Sequence, residues 1–403
     1  MFNLKGIAMN SSNFFLEEAK RIHPEVVALR RYFHKHPEVS KNEYNTALKI
    51  EEELDKLGLS HKRVGQTGVC TEIDGALDGE KTIILRADID ALPVKEEHIC
   101  EYTSVNEGVM HACGHDAHTA CLLGAAKILS ENRDKFGGKV KIQFQQAEEI
   151  GYGARVFIDK GLVTGDRSFG IHVTPSFDAG QIVLSPGPNN ASVDWFKISI
   201  EGKSAHVSTP HLGVDAAYIA SQILISIQAI VTRQTDPMEN LLVGVGKINA
   251  GTAYNIVAEH AELEGTVRAL TPETRAKTKE RIEKLAASIA ENYGGKASIE
   301  WQDFTSPLIN DEGVCREAWG VAEELFGKEN VIKSALPTLG GDDFAEYILK
   351  VPGAYAKVGS RNPEVFETTV AMHNCKFDID ESCLITGCAI YSAYAVSYLN
   401  GKV

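Results

Sequence analysis

Three histidines, a cysteine and an aspartate fall within the short stretch "MHACGHDAHTA", Met110 to Ala120. Thiolate and imidazole are ligands of first-row metals, so this density points to a metal centre. Other side chains of similar chemistry stand at the ends of apolar, β-rich runs. "TIILRADID" closes on Asp88 and Asp90, "VKIQFQQAEE" on Glu148 and Glu149, "FGIHV" on His172, and "AYAKVGS" leads through a loop to His373. In an open α/β sheet, ligands bind beyond the carboxyl ends of the strands. That rule gathers Cys113, His115, Glu149, His172 and His373 at one edge. A mononuclear catalytic zinc usually takes three protein ligands, so five candidates imply two ions or some false members. Two ions need a bridge, which a thiolate or a carboxylate supplies, and such pairs activate a water between them. Glu148, beside a ligand but pointing another way, suits a proton shuttle to that water.

Plainer readings stand beside these. A lone histidine at a strand end is more often a hydrogen-bonded structural residue, and His172 taken alone fits that description. Cys121, Cys383 and Cys388 lie in apolar helical runs and read as core thiols. His111 and His118 could orient ligands or cap a helix. Adjacent glutamates are commonly solvated, yet this pair follows a run with the composition of a buried strand. The joint pattern outweighs each single residue.

The elements that must position these groups alternate through the first half of the chain. "FLEEAKRIHPEVVALRRYFHKHPE", "NTALKIEEELDKLGLS" and "HTACLLGAAKILSENRDKF" carry helical spacing, between the β-rich runs "KTIILRADIDALP", "KVKIQFQQAEE" and "FGIHVTP". This alternation predicts an α/β domain with a mostly parallel sheet. After "SPGPNN" the texture changes. A strand (194–202), an apolar helix (214–233), two strands (241–249 and 256–269), a helix opened by Thr271-Pro272-Glu273 and a last strand, "KASIEWQDF", follow in turn. The order β-α-β-β-α-β is that of a ferredoxin-like α+β motif. The expected organisation is therefore a first part, 1–186, an inserted domain, 187–300, and a second part, 301–403.

Length and charge narrow the function. At 403 residues the chain exceeds the usual size of one core. A formal net charge of −14 repels nucleic acid and anionic membranes, which leaves small molecules or proteins as partners. The eight cysteines form no dense framework and read as reduced thiols of a cytoplasmic protein. "MFNLKGIAMNSSNFF" lacks the continuous apolar run of a signal peptide, and no stretch approaches the roughly 20 apolar residues of a membrane span.

With these residues in place the chain resembles peptidase family M20, the aminoacylase and carboxypeptidase family of two-metal hydrolases, in its branch of N-acyl-L-amino acid and hippurate amidohydrolases. The segments that carry the resemblance run in order along nearly the whole chain: "LRRYFHKHPEVSKNEYNTALKI" (29–50), "LRADIDALPV" (85–94), "MHACGHDAHTA", "QQAEEIGYGA" (145–154), "GKSAHVSTPHLGVDA" (202–216), "GTAYNIVAEHAELEGTVR" (251–268), "LGGDDFAEYILKVPGAYAKVG" (339–359) and "MHNCKFDIDE" (372–381). The resemblance implies a zinc-peptidase-like catalytic domain with the inserted domain as lid and dimerisation element. It implies two divalent metals per subunit, zinc or manganese ahead of cobalt or nickel, held by Cys113, His115, Glu149, His172 and His373, with Cys113 as bridge. Glu148 would be the general base, Asp90 would orient a neighbour, and Asp88 would support the site. His206 would reach the partner's active site in a homodimer to steady the oxyanion. Asn255, Arg268 and Gly340 would hold the substrate, the first two through its α-carboxylate.

Two positions depart from the family pattern. Asn374 and Cys375 follow His373 where a His or Ser and then Pro are common, and Asn190 stands where relatives often have Met. The expected reaction is hydrolysis of the amide of an N-acyl-L-amino acid. A dipeptidase or carboxypeptidase on the same site, a Cys113 covalent nucleophile and a silent metal-binding scaffold are the alternatives.

Overall fold

The computed structural model describes residues 11–403. Residues 1–10, part of the stretch read above for leader character, lie outside the described residues. The chain divides into two compact units. The first comprises the chain up to Gly187 with Asn310–Leu336 and Glu346–Val403, and the second Pro188–Ile309 with Pro337–Ala345.

The first unit is built on an eight-stranded mixed sheet. Its centre is parallel: Gly137–Gln145, Leu77–Asp88, Arg167–Asp178 and Gly353–Arg361 lie side by side in that order. Antiparallel strands, His61–Val64 and Gly68–Asp74, extend one side. On the other side Ile182–Val183 runs antiparallel to Gly353–Arg361 and parallel to Val331–Ile332.

Burial follows from this layout. The strand Leu77–Asp88 begins exposed and ends with six buried residues, as a strand does when its carboxyl end enters a covered core. Alternate residues Phe169, Ile171 and Val173 on one central strand, and Ala354, Ala356 and Val358 on its neighbour, enter a single apolar core. The helices Ser11–Lys35, His115–Glu131 and Cys383–Leu399 contribute to that core as well. Cys121, Cys383 and Cys388 are buried members of it.

A buried ion network joins helix Ser11–Lys35 to helix His115–Glu131 and to Asp378, in the segment before helix Cys383–Leu399. Arg30 donates from Nε to Asp116 Oδ2 at 2.8 Å and from Nη2 to Asp378 Oδ1 at 2.6 Å. His34 Nδ1 meets the same Asp116 oxygen at 2.8 Å and its Nε2 meets Glu96 Oε1 at 3.1 Å. Burial works against the Arg30 charge, but Asp378 and Asp116 outweigh it and hold the guanidinium more firmly protonated than usual. Removing the cation would leave the buried Asp116 and Asp378 without their main counter-charge, with His34 and Tyr102 still bonded to them. Arg30→Met should therefore cost about 3–5 kcal/mol of folding free energy, read as a lowered urea midpoint. An unchanged midpoint would show that this network contributes nothing to stability.

The second unit holds a four-stranded antiparallel sheet in the spatial order Lys296–Thr305, Val193–Glu201, His260–Ala269, Leu241–Ala250. Two helices, Ala216–Arg233 and Pro272–Asn292, supply apolar residues to its core. Thr271 caps the second helix by accepting from the Thr274 amide, with Pro272 at the first turn.

Three details differ from the sequence-based expectation. The strand expected from 256 begins at His260, because residues 255–257 instead bond to the loop around His206: Val207 N donates to Asn255 O and Val257 N to Ala205 O. The second unit also continues past 300. Its strand stays paired to Thr305, and Pro337–Ala345 joins the unit, with Thr338 bonded to the backbone of Asn189 and Ala191. Finally, one helix among the described residues, Ala216–Arg233, is long and apolar enough to cross a membrane by length and composition. Its Ile219, Ile223, Ile227 and Ile230 are spent inside the unit's own core.

Candidate metal centre

The strand ends and the start of helix His115–Glu131 meet in the first unit. Gly114 makes the approach possible: its φ of 88° is left-handed, and a Cβ there would fall 2.3 Å from Val173 Cγ2. His115 enters at the first turn of the helix, and Cys113 immediately precedes the glycine. Ala147, at φ 54°, turns the chain after strand Gly137–Gln145 and presents Glu148 and Glu149. His373 also has positive φ, 66°, and its amide donates to Ala112 O at 2.7 Å.

Two triads result. Ligand atoms of Cys113, His115 and His172 lie within 4.8 Å of one another, and so do those of Cys113, Glu149 and His373. Cys113 belongs to both. A third group joins His115 to Glu148 and Glu149 on the same criterion. The pairs that can be read singly agree with this: Cys113 Sγ is 3.6 Å from His172 Nε2, His115 Nε2 is 3.8 Å from Glu149 Oε1, and His373 Nε2 is 3.7 Å from Glu149 Oε2.

Hydrogen bonds decide which nitrogen of each ring is free. His115 Nδ1 faces Asp90 O at 2.9 Å and His172 Nδ1 faces Val173 O at 2.6 Å. A carbonyl only accepts, so both rings carry a proton on Nδ1, which leaves Nε2 as the nitrogen open to a metal. His118 differs. Its Nε2 accepts from Val173 N at 2.9 Å, and its Nδ1 donates to Asp88 Oδ1 at 2.6 Å. With both nitrogens engaged it orients the site and is not a donor to metal. Asp88 is likewise occupied, taking Arg86 Nη1 on its other oxygen at 2.7 Å.

Asp90 holds the acidic turn. Its two oxygens accept from the amides of Glu148 and Glu149, each at 3.1 Å, and Ser40 Oγ donates to it at 2.6 Å. Glu43 holds the same turn from the other end, accepting from Ala147 N at 2.8 Å and Thr67 Oγ1 at 2.7 Å. Sequence reasoning did not single out Glu43, Ser40 or Arg86. Their only signal is a polar side chain at a buried or half-buried position, which needs the fold to be visible.

The donor set fits divalent metal. His115 Nε2 and Glu149 Oε1 are buried with no hydrogen-bond partner, an expensive state for polar atoms. Burial raises the Cys113 thiol well above its usual range, and Glu149 adds to the effect. Burial also pushes Glu149 up to about 7, with Asp90 and Asp88 adding and His115 opposing. Burial and the neighbouring His118 hold His172 well below the usual imidazole range. Two buried acids crowded against buried imidazoles are costly as they stand. A cation relieves that cost, because it favours thiolate, carboxylate and neutral imidazole together. Sulfur, nitrogen and oxygen donors in this mixture suit first-row metals rather than calcium or magnesium.

Comparison with known sequences decides the family. The sequence model described as peptidase family M20/M25/M40 matches residues 84–397. The chain belongs to this family. An M20 relative, N-acetyl-L-cysteine deacetylase of Bacillus subtilis, is 39% identical over 363 residues, covering 90% of this chain and 85% of the relative. Thermostable carboxypeptidase 1 of Saccharolobus solfataricus is 36% identical over 389 residues, covering 95% and 98%. A solved Bacillus subtilis structure, described as a dinuclear metal-binding peptidase of the M20 family, superposes with a TM-score of 0.82 at 35% identity, covering 94% of this chain and 99% of that one. The protein is thus an M20 hydrolase with a large, mostly parallel sheet.

The remaining expected M20 site residues lie in the second unit. Arg268, on strand His260–Ala269, is half-buried and donates from Nε to Thr266 Oγ1 at 3.1 Å. His206 is exposed, and its Nδ1 accepts from Ser208 N at 3.1 Å. Asn255 is exposed in the loop bonded to Val207, and Gly340 is exposed beside Thr338. Asn190 is buried with its Oδ1 lacking a hydrogen-bond partner.

Proposed function

We propose that the protein is a dinuclear metal-dependent amidohydrolase that cleaves N-acyl-L-amino acids to an amino acid and a carboxylic acid. The observation that carries this reading is the pair of donor triads sharing Cys113, with Glu148 beside them. Cys113, His115 and His172 would hold one divalent ion and Cys113, Glu149 and His373 the other. Bound there, the ions supply Lewis acidity for the scissile carbonyl and a lowered pKa for water. Zinc and manganese suit the donors, ahead of cobalt and nickel.

The chain's own groups do the rest. Glu148, its backbone fixed by Asp90, takes the proton of the attacking water and returns it to the leaving nitrogen. His206 accepts a backbone N–H at Nδ1, so its proton sits on Nε2, the form that donates to an oxyanion. Arg268 has no carboxylate within ion-pair distance among the described residues. With Asn255 and Gly340 it suits the substrate's α-carboxylate, which a guanidinium grips with two parallel hydrogen bonds.

Supporting features extend to assembly and location. Strand Leu241–Ala250 is an edge of its sheet and exposes Leu242 and Ile248, a surface suited to a second copy of the chain. Its unit would then serve as lid and dimerisation domain, as the resemblance implies. All eight cysteines are free, as in a reducing cytoplasm. The carboxypeptidase relative favours a second reading, peptide hydrolysis on the same centre.

Amine release from N-acetyl and N-benzoyl amino acids and from dipeptides, on stripped protein with and without Zn²⁺ or Mn²⁺, separates the two. Metal-dependent release from acylated amino acids is the expected result. Cleavage confined to dipeptides would replace it with the peptidase reading, and a monomer in sedimentation of the same samples would remove the dimer.

A further inference from the structure

Lys357 lies mid-strand in Gly353–Arg361, paired in register with His172 on one side and Val183 on the other. Paired residues of neighbouring strands project to the same face. Ala354, Ala356 and Val358 enter the core from one face, so Lys357 shares the opposite face with His172. The lysine is therefore one strand away from a candidate metal ligand and on its side of the sheet.

Its state is unusual for a cation. Lys357 is half-buried, yet among the described residues its ammonium has no hydrogen-bond acceptor and no carboxylate in ion-pair distance. Burial alone acts on it and lowers its pKa. Several other half-buried cations of this unit are matched: Arg63 by Glu51, Arg167 by Glu317, Lys49 by Glu53 and Lys127 by Glu131. Withdrawing an ammonium from water without a partner is costly, and an anion brought to it recovers that cost. Val183 offers an apolar neighbour for the methylene stem, which lets the charged end reach beyond it.

We propose that Lys357 binds a second carboxylate of the substrate, carried by a dicarboxylic acyl group or by an acidic side chain, distinct from the α-carboxylate assigned to Arg268. This deepens the amidohydrolase reading above and rests on it. The preferred substrates are then doubly anionic N-acyl amino acids.

The test compares zinc-loaded wild type with Lys357→Met on N-succinyl-L-alanine, N-acetyl-L-glutamate and N-acetyl-L-alanine. The variant should lower kcat/KM about tenfold or more on one acidic substrate and change N-acetyl-L-alanine less than about twofold. Loss on the succinyl compound alone places the second carboxylate on the acyl group, and loss on the glutamate compound alone places it on the side chain. Loss on neither, with all three hydrolysed, overturns the proposal and leaves the amidohydrolase reading standing.

If none of the three is hydrolysed, that reading fails and calorimetry decides the proposal. Wild type should bind succinate more tightly than acetate, and the variant should lose that preference; equal preference in both proteins overturns it. Removal of an unpaired, half-buried charge should leave the melting temperature unchanged or raise it, which separates loss of recognition from loss of fold.

Discussion

Glu148→Gln should lower kcat by about a thousandfold while the protein keeps its full complement of metal. The substitution preserves shape and leaves the backbone bond from the Glu148 amide to Asp90 Oδ1 in place. It removes the one property the proposed reaction needs from this residue, a carboxylate that accepts and returns a proton. Turnover under substrate saturation, set beside metal content of the dialysed protein by plasma mass spectrometry, reads both halves of the expectation. Undiminished kcat would assign the proton transfer to another group. Lost metal would show that Glu148 holds the ions rather than serving beside them.

Cys113→Ala should have the largest effect on the centre itself. Because Cys113 belongs to both donor triads, its loss would take one ligand from each proposed ion at once. Bound metal should fall from two ions per chain to one or fewer at a free zinc concentration that saturates the wild type. Activity should fall at least about a hundredfold, the scale on which ligand and supporting changes act on metal sites. His373→Ala is the control, since it leaves Cys113, His115 and His172 intact and should retain one ion. Two ions retained by Cys113→Ala would exclude the shared thiolate, and equal losses in the two variants would argue against separate triads.

The site was legible in the sequence to the extent that its chemistry is compressed into strand ends. Cys113 and His115 flank Gly114, while Glu149, His172 and His373 come from three further segments, but each segment follows a run with β composition or opens a helix, and the parallel-sheet rule brings them to one edge. For His118 the sequence left open whether it orients ligands or caps the helix, and the choice rests on its ring nitrogens, one engaged by the Asp88 carboxylate and the other by the Val173 amide. Glu43 was hidden for a related reason. It lies where chain turns into the helix Tyr44–Lys56, a place where an acidic residue is ordinary, and only the fold brings it to Ala147.

The fold was legible where apolar residues alternate with polar ones and less so elsewhere. The helix Cys383–Leu399 is buried on every side apart from Ile385, so no amphipathic stripe marks it. The short strands Ile182–Val183 and Val331–Ile332 have two residues each, too few for any period to register. The start of strand His260–Ala269 was misplaced because Ile256 and Val257 have strand-like composition but are claimed by the loop around His206. Lys357 is the opposite case. A lysine among apolar residues invites no comment in one dimension, and its meaning comes from the register that sets it beside His172 with no carboxylate in ion-pair distance among the described residues.

The two triads also differ in when they can exist during synthesis. Cys113, His115 and His172 are all present once the first part of the chain has left the ribosome, so a growing chain already carries the donors for one ion. Glu149 must wait for His373, which is made after the entire second unit. The donors of the second triad can therefore come together only once residue 373 has been made, after the whole of the second unit.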